Sequence, residues 1–298
     1  MPQLRIIDPH QHFWKLDAAQ GYPWLTKRPL GPSVAGDLAR IAHDYLIPDY
    51  RADVEGFNIV KSVHVEAIAA DPVEETAWLQ ELSDSQGFPH GAVVRVALHQ
   101  PDVERVLERQ CQFKIVRGVR DILNWHKNPS LTYIDRSDLL TDPAWLAGFA
   151  LLRKFNLSFD MQLYPSQMLD AAAVARRHPD MSIILNHAGM PVDRDAGGLE
   201  QWRKGMRALA ACDNVTVKIS GLGMVDWNWT TESILPFVLE TIDFFGVDRS
   251  MFASNFPVDK IYSDFATLYR AFFEITKGFS DSEKERLFHD NAERLYRL

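Results

Sequence analysis

The stretch Ile6-Ile7-Asp8-Pro9-His10-Gln11-His12-Phe13-Trp14 sets two histidines one residue apart behind an apolar run. Residues two apart in a strand point to one side, so a strand continuing through them puts Asp8, His10 and His12 on one face. A histidine pair aimed at one point suits a divalent metal or a polarised substrate oxygen, because neutral imidazole is the commonest protein metal ligand. A single strand-end histidine is more often a hydrogen-bonded structural residue, so the rest of the chain has to decide.

The same kind of polar ending recurs along the sequence. A second run closes on His64 and Glu66, a pair that parity places on one face. A fourth carries Arg117 and Arg120, of opposite parity, so only one points inward. A fifth carries Asp160 and Gln162, a sixth ends in Asn-His-Ala-Gly with His187, and a seventh ends with Lys218 and Ser220. The last leads into Ala-Ser-Asn-Phe-Pro-Val-Asp-Lys, with Asn255 and Asp259. Each has an ordinary structural use alone. Together they make an expensive set of polar groups to gather without a function. His43, His90, His99, His126, His178 and His289 fall in helices or loops and read as surface or packing residues.

The elements that must position these groups are eight short apolar or β-branched runs, at 4–8, 58–66, 91–98, 113–120, 157–163, 181–187, 214–220 and 250–254. Most are separated by segments with apolar residues at three- and four-residue spacing, the pattern of an amphipathic helix. Strand alternating with helix gives βα units and a parallel sheet. Eight strands match an α/β fold of the closed (β/α)8 TIM-barrel type, in which functional groups gather at the C-terminal strand ends. Residues 13–50 and 121–141 remain as long connections rich in Pro, Trp, Tyr and Asp, and loops of that length usually carry function. Trp14, Tyr22 and Trp24 of the first are candidates for one wall of a pocket.

At 298 residues, 46% hydrophobic and 24% charged, the chain reads as one barrel domain over 1–298. A net charge of -8 argues against nucleic acid or an anionic membrane as the main partner and leaves a small-molecule substrate. No GxGxxG follows the first strand, so no nucleotide cofactor is expected. Cys111 and Cys212 form no CxxC, consistent with a reducing compartment. The N-terminus lacks the features of a signal peptide, and no apolar stretch reaches the ~20 residues of a membrane span. A cytoplasmic protein is the expectation. No motif specifies an oligomeric state.

The motifs DPHQHFW, GVRD, NHAGMP, KISGLG and ASNFPVDK, in this order along nearly the whole chain, resemble the amidohydrolase-related family that includes sugar lactonases and 2-pyrone-4,6-dicarboxylate lactonase. The resemblance implies a TIM barrel that hydrolyses cyclic esters, in some members with a divalent metal and in others without. By position, His10 and His12 match the family's paired histidines, His187 its histidine after strand 6, and Arg120 the arginine of its G-x-R motif. At strand 8 the common Gly-Ser-Asp-Trp-Pro is Ala-Ser-Asn-Phe-Pro here, so Asn255 replaces the aspartate expected to act as general base. A neutral amide takes no proton at useful pH, which turns attention to Asp259, Glu66 and His187.

The resulting expectation is a hydrolase that opens a small, sugar-derived lactone. His10, His12, His187, Asn255 and Asp259 form the catalytic set; Arg120, Glu66, Gln162, Lys218 and Trp24 contact substrate. His10, His12 and His187 are also the candidate ligands of one divalent cation, zinc or manganese. A metal-dependent decarboxylase and a non-catalytic binding barrel are the alternatives.

Overall fold

The computed structural model describes residues 4–31 and 33–298. Eight parallel strands form a single sheet in sequence order: β1 (Ile6–Gln11), β2 (Ile59–Val65), β3 (Gly91–Arg95), β4 (Val116–Ile122), β5 (Ser158–Gln162), β6 (Ile183–Leu185), β7 (Val215–Ile219) and β8 (Ser250–Phe252). The sheet curls until its edges meet. Beyond β8, Asn255 N donates to His10 O and His12 N donates to Phe256 O, each at 2.7 Å. The side chain of Asp8 reinforces this closure, accepting from Ser254 N at 2.9 Å and Ser254 Oγ at 2.6 Å. The (β/α)8 barrel expected from the alternation is the observed fold.

Helices follow the strands as the apolar spacing requires, from Pro72–Gln86 after β2 to Phe265–Ile275 after β8. Several start on an acidic cap: Asp71 accepts from Val73 N and Glu74 N, and Asp142 from Ala144 N, satisfying the orphan donors of the first turn. Gly87, in the left-handed region at φ 72°, stops the helix Pro72–Gln86. Among the described residues no helix is long and apolar enough to cross a membrane.

The connection 13–50 is not featureless. It carries short helices at Pro23–Thr26 and Ile47–Asp53, and its aromatic residues Phe13, Trp14, Tyr22, Tyr45 and Tyr50 are buried. Two apolar layers result. The larger lies between sheet and helices. The smaller fills the barrel interior with Ile7, Val63, Val65, Val93, Ile184 and Met251, and the C-terminal segment brings Ala292 and Tyr296 against it.

Candidate active site

The polar strand ends sort into two layers inside the barrel. In the deeper layer Lys218 Nζ donates to Asp160 Oδ1 at 2.6 Å, with neither side chain exposed. Asp160 also accepts from Asn186 Nδ2 at 3.0 Å and from the Tyr296 hydroxyl at 2.9 Å. Lys218 lies 5.0 Å from the centre of the Tyr296 ring. This layer does not line the cavity at the barrel mouth. Lys218, expected to contact substrate, instead neutralises a buried carboxylate, and burial lowers its own pKa.

Above it lies a cavity of about 520 Å³ at the C-terminal strand ends. Its polar floor is His12, Arg120, Gln162, His187 and Asn255, and its walls are mainly apolar, with Trp14, Trp24, Ile68, Ile122, Tyr133 and Met224. Convergent polar groups in an apolar concavity are the ordinary form of a small-molecule site.

Arg120 is held from three sides. Its Nε donates to Glu66 Oε1 at 2.7 Å, Nη2 to Glu66 O at 2.5 Å and Nη1 to Gln162 Oε1 at 2.8 Å. Nη2 also lies 2.7 Å from Glu66 Oε1, so Nε and Nη2 are turned to Glu66 and the second N–H of Nη1 is left for a ligand. Glu66 itself lies outside the cavity lining, and its carboxylate is held below the usual range by Arg120 despite burial, the largest and opposing influence. Its second oxygen accepts from Ile68 N at 2.8 Å. That bond secures Ile68 at φ 57°, a costly conformation for a β-branched side chain.

The histidine rings cluster, His10 lying edge-on to His12 and tilted against His187. The ring centres of His10 and His187 are 4.6 Å apart, those of His10 and His12 5.1 Å. His12 Nδ1–H donates to Val65 O at 2.6 Å, which leaves Nε2 unprotonated, 3.4 Å from Asn255 Oδ1 and not hydrogen-bonded to that acceptor. His187 Nδ1 lies 3.0 Å from Ser220 Oγ, so that Nε2 serves the cavity. Burial, then Arg120 and Lys218, lowers the His187 pKa well below the ordinary value. Burial and Arg120 lower His12 to about 3. Both rings are neutral at pH 7.

His10 lies beneath them, outside the cavity lining, with both ring nitrogens buried and without a hydrogen-bond partner among the described residues. Burial lowers its pKa well below 6.5. The rings of His10, His12 and His187 are thus brought together, but their donors do not converge. Among the described residues no group of three or more His, Cys, Asp or Glu side chains is placed to hold a metal ion. This donor set does not fit a three-histidine zinc or manganese site.

Asp259 is buried behind Asn255 rather than in the cavity lining, and neither carboxylate oxygen has a hydrogen-bond partner among the described residues. Burial pushes its carboxyl up to about 8, against the weaker pull of the Gly221 backbone and the Asn255 side chain. It is mostly protonated at neutral pH.

Two parity expectations fail where strands lose regularity. His64 does not share a face with Glu66. The strand ends at Val65, and His64 turns toward the helix that follows, with Nε2 3.8 Å from Glu75 Oε1. Asp8 does not share a face with His10 and His12. The register shifts between Asp8 and Gln11, around Pro9, and Asp8 turns toward Tyr50 and Ser254. The apolar walls at Ile68, Ile122, Tyr133 and Met224 escaped sequence reasoning, because isolated apolar residues in loops carry no periodic signal.

With this geometry in view, the model of the amidohydrolase family matches residues 7–298. The chain belongs to the amidohydrolase family. It is 47% identical over its whole length to an uncharacterized protein of Sinorhizobium fredii, all of which is covered. It is 30% identical to an L-fucono-1,5-lactonase of Burkholderia multivorans, with 100% of this chain and 97% of that one covered. Among solved structures it resembles an amidohydrolase of Burkholderia multivorans with bound zinc, at 27% identity and a TM-score of 0.82, covering 98% of this chain and 99% of the other. Amidohydrolase and lactonase relatives make this member a hydrolase by kinship.

Proposed function

We propose that this amidohydrolase opens a small lactone, of the sugar-derived class, by attack of water on the ring carbonyl at the barrel mouth. The observation that carries the reading is His187: neutral, fixed through Nδ1 by Ser220, and offering Nε2 to a cavity whose floor also holds Arg120. End-to-end likeness to an L-fucono-1,5-lactonase supports the choice of ester over amide.

The reaction needs a polarised carbonyl, a base for water and an acid for the departing ring oxygen. The remaining Nη1 N–H of Arg120 donates to the carbonyl oxygen, and the guanidinium charge meets the negative charge that develops there. His187 Nε2 accepts a proton as water attacks. The ring C–O bond then breaks and the imidazolium returns that proton to the alkoxide, giving a hydroxy acid. Asn255 hydrogen-bonds water or a substrate hydroxyl, and Trp14 and Trp24 wall off bulk solvent. Glu66 and Gln162 hold the guanidinium plane. Acid release from a lactone panel, compared with carbon dioxide release from carboxylated analogues, tests the assignment. Acid with no carbon dioxide supports it, and the reverse replaces it with decarboxylation.

A further inference from the structure

Beside the cavity, and sharing Ser33 and Met224 with its lining, lies a groove of about 1220 Å³. The groove runs between the connections that follow β1, β4, β6 and β7. Beside it stands Trp227, 57% exposed. The other tryptophans are buried or half-buried, so this indole is not part of the core. Yet it is held. Its Nε1 donates to Val34 O at 3.2 Å, and its ring lies so close to Gly36 that a Cβ there would come within 3.3 Å. The preceding Asp226 accepts from Arg194 Nη1 at 3.1 Å and Ser233 Oγ at 2.9 Å, fixing the loop that presents it.

The rest of the groove supplies short hydrogen-bonding groups, Ser33, Asp37, Ser130 and Asn228, with no cation among its lining residues. A fixed, exposed indole beside hydroxyl, amide and carboxylate groups suits a neutral ring with apolar C–H faces and polar edges. An anionic substituent would meet Asp37 without a counter-charge. Such a ring is a pyranose. We propose that the groove is a second sugar subsite, and that the substrate is an aldonolactone bearing a further glycosyl ring: the lactone at His187 and Arg120, the second ring on Trp227. This rests on the lactonase reading above and extends it from a monosaccharide to a disaccharide-derived substrate.

The test uses the full-length protein, its Trp227→Ala and Trp227→Phe variants, and lactobiono-, cellobiono- and maltobionolactone beside galactono- and fuconolactone. At least one two-ring lactone should surpass both one-ring lactones in kcat/KM. Trp227→Ala should remove about tenfold of that advantage, the factor for a stacking contact of ~1.4 kcal/mol, through KM, while one-ring turnover changes less than about twofold. Trp227→Phe should restore most of it. Calorimetric titration with the unreactive lactitol, cellobiitol and maltitol separates the two ideas. Binding that Trp227→Ala abolishes, without hydrolysis of any lactone, keeps the sugar subsite and removes the lactonase assignment. Hydrolysis of one-ring lactones with no two-ring preference keeps the lactonase and overturns the subsite. Concentration-dependent dimerisation abolished by Trp227→Ala would also overturn it, making the indole a contact between copies.

Discussion

His187 Nδ1 lies 3.0 Å from Ser220 Oγ, and the next residue, Gly221, at φ 61°, backs directly onto the same imidazole. A Cβ at Gly221 would come within 2.5 Å of Nδ1. Hydroxyl and glycine together set where Nε2 points.

Gly221→Ala therefore acts on geometry as well as on the backbone. Forcing alanine into the left-handed region costs about 1 kcal/mol, while an ångström of imidazole displacement costs about 100-fold in rate. The variant should remain folded by circular dichroism yet lose about that factor in kcat/KM for lactone hydrolysis. Full activity would mean that the ring position does not limit the reaction.

Burial and the nearby Arg120 and Lys218 charges keep His187 neutral below the ordinary imidazole pKa. A base of this kind stays competent as the pH falls. The acid limb of kcat/KM should have its midpoint below 6.5; a midpoint at or above 6.5 would assign proton transfer to another group.

Asp259 binds its proton more tightly folded than unfolded, with a folded value of about 8 against an unfolded value of about 4. Between those values the native state holds the extra proton, so its contribution to stability declines as pH rises from about 4 to 8 and is then constant. Asp259→Asn removes the titration. Its melting temperature should exceed that of the parent at pH 8–9, by the equivalent of a few kcal/mol, and the gap should narrow toward pH 5. Glu75, likewise pushed up to about 8 by burial and then by Glu66, acts in the same sense. A gap independent of pH would refute the assignment.

Arg120 and Glu66 are both almost fully buried, at 4% and 1% side-chain exposure. Removing one partner strands the other charge, at a cost of ~3–5 kcal/mol. Arg120→Ala should lower stability by that amount, and Arg120→Met with Glu66→Gln should recover most of it without recovering activity. Urea unfolding beside the lactone assay measures both. Recovered activity in the double variant would remove Arg120 from the chemistry.

Much of this site was legible in the sequence because it depends on strand order and parity. Eight apolar runs gave eight strands, and Arg120, Gln162 and His187 were found as residues at strand ends. What escaped depends on depth and on where regularity stops. Lys218 reads as a strand-end residue available to substrate, but Tyr296, 78 positions beyond it in the chain, joins Lys218 in a buried network around Asp160. His64 and Asp8 left their expected faces where β2 ends and where β1 shifts register at Pro9. Asp259 stood four residues beyond Asn255, and only the turn Val258–Ile261 decides that it lies behind the wall.

Lactone opening by His187 is tested most directly by acid release from galactono- and fuconolactone by the parent protein and by His187→Ala, followed with a pH indicator. One equivalent of acid per lactone opened is expected, with a loss of about 100-fold or more in the variant and the fold intact. Acid release undiminished by the substitution would contradict it.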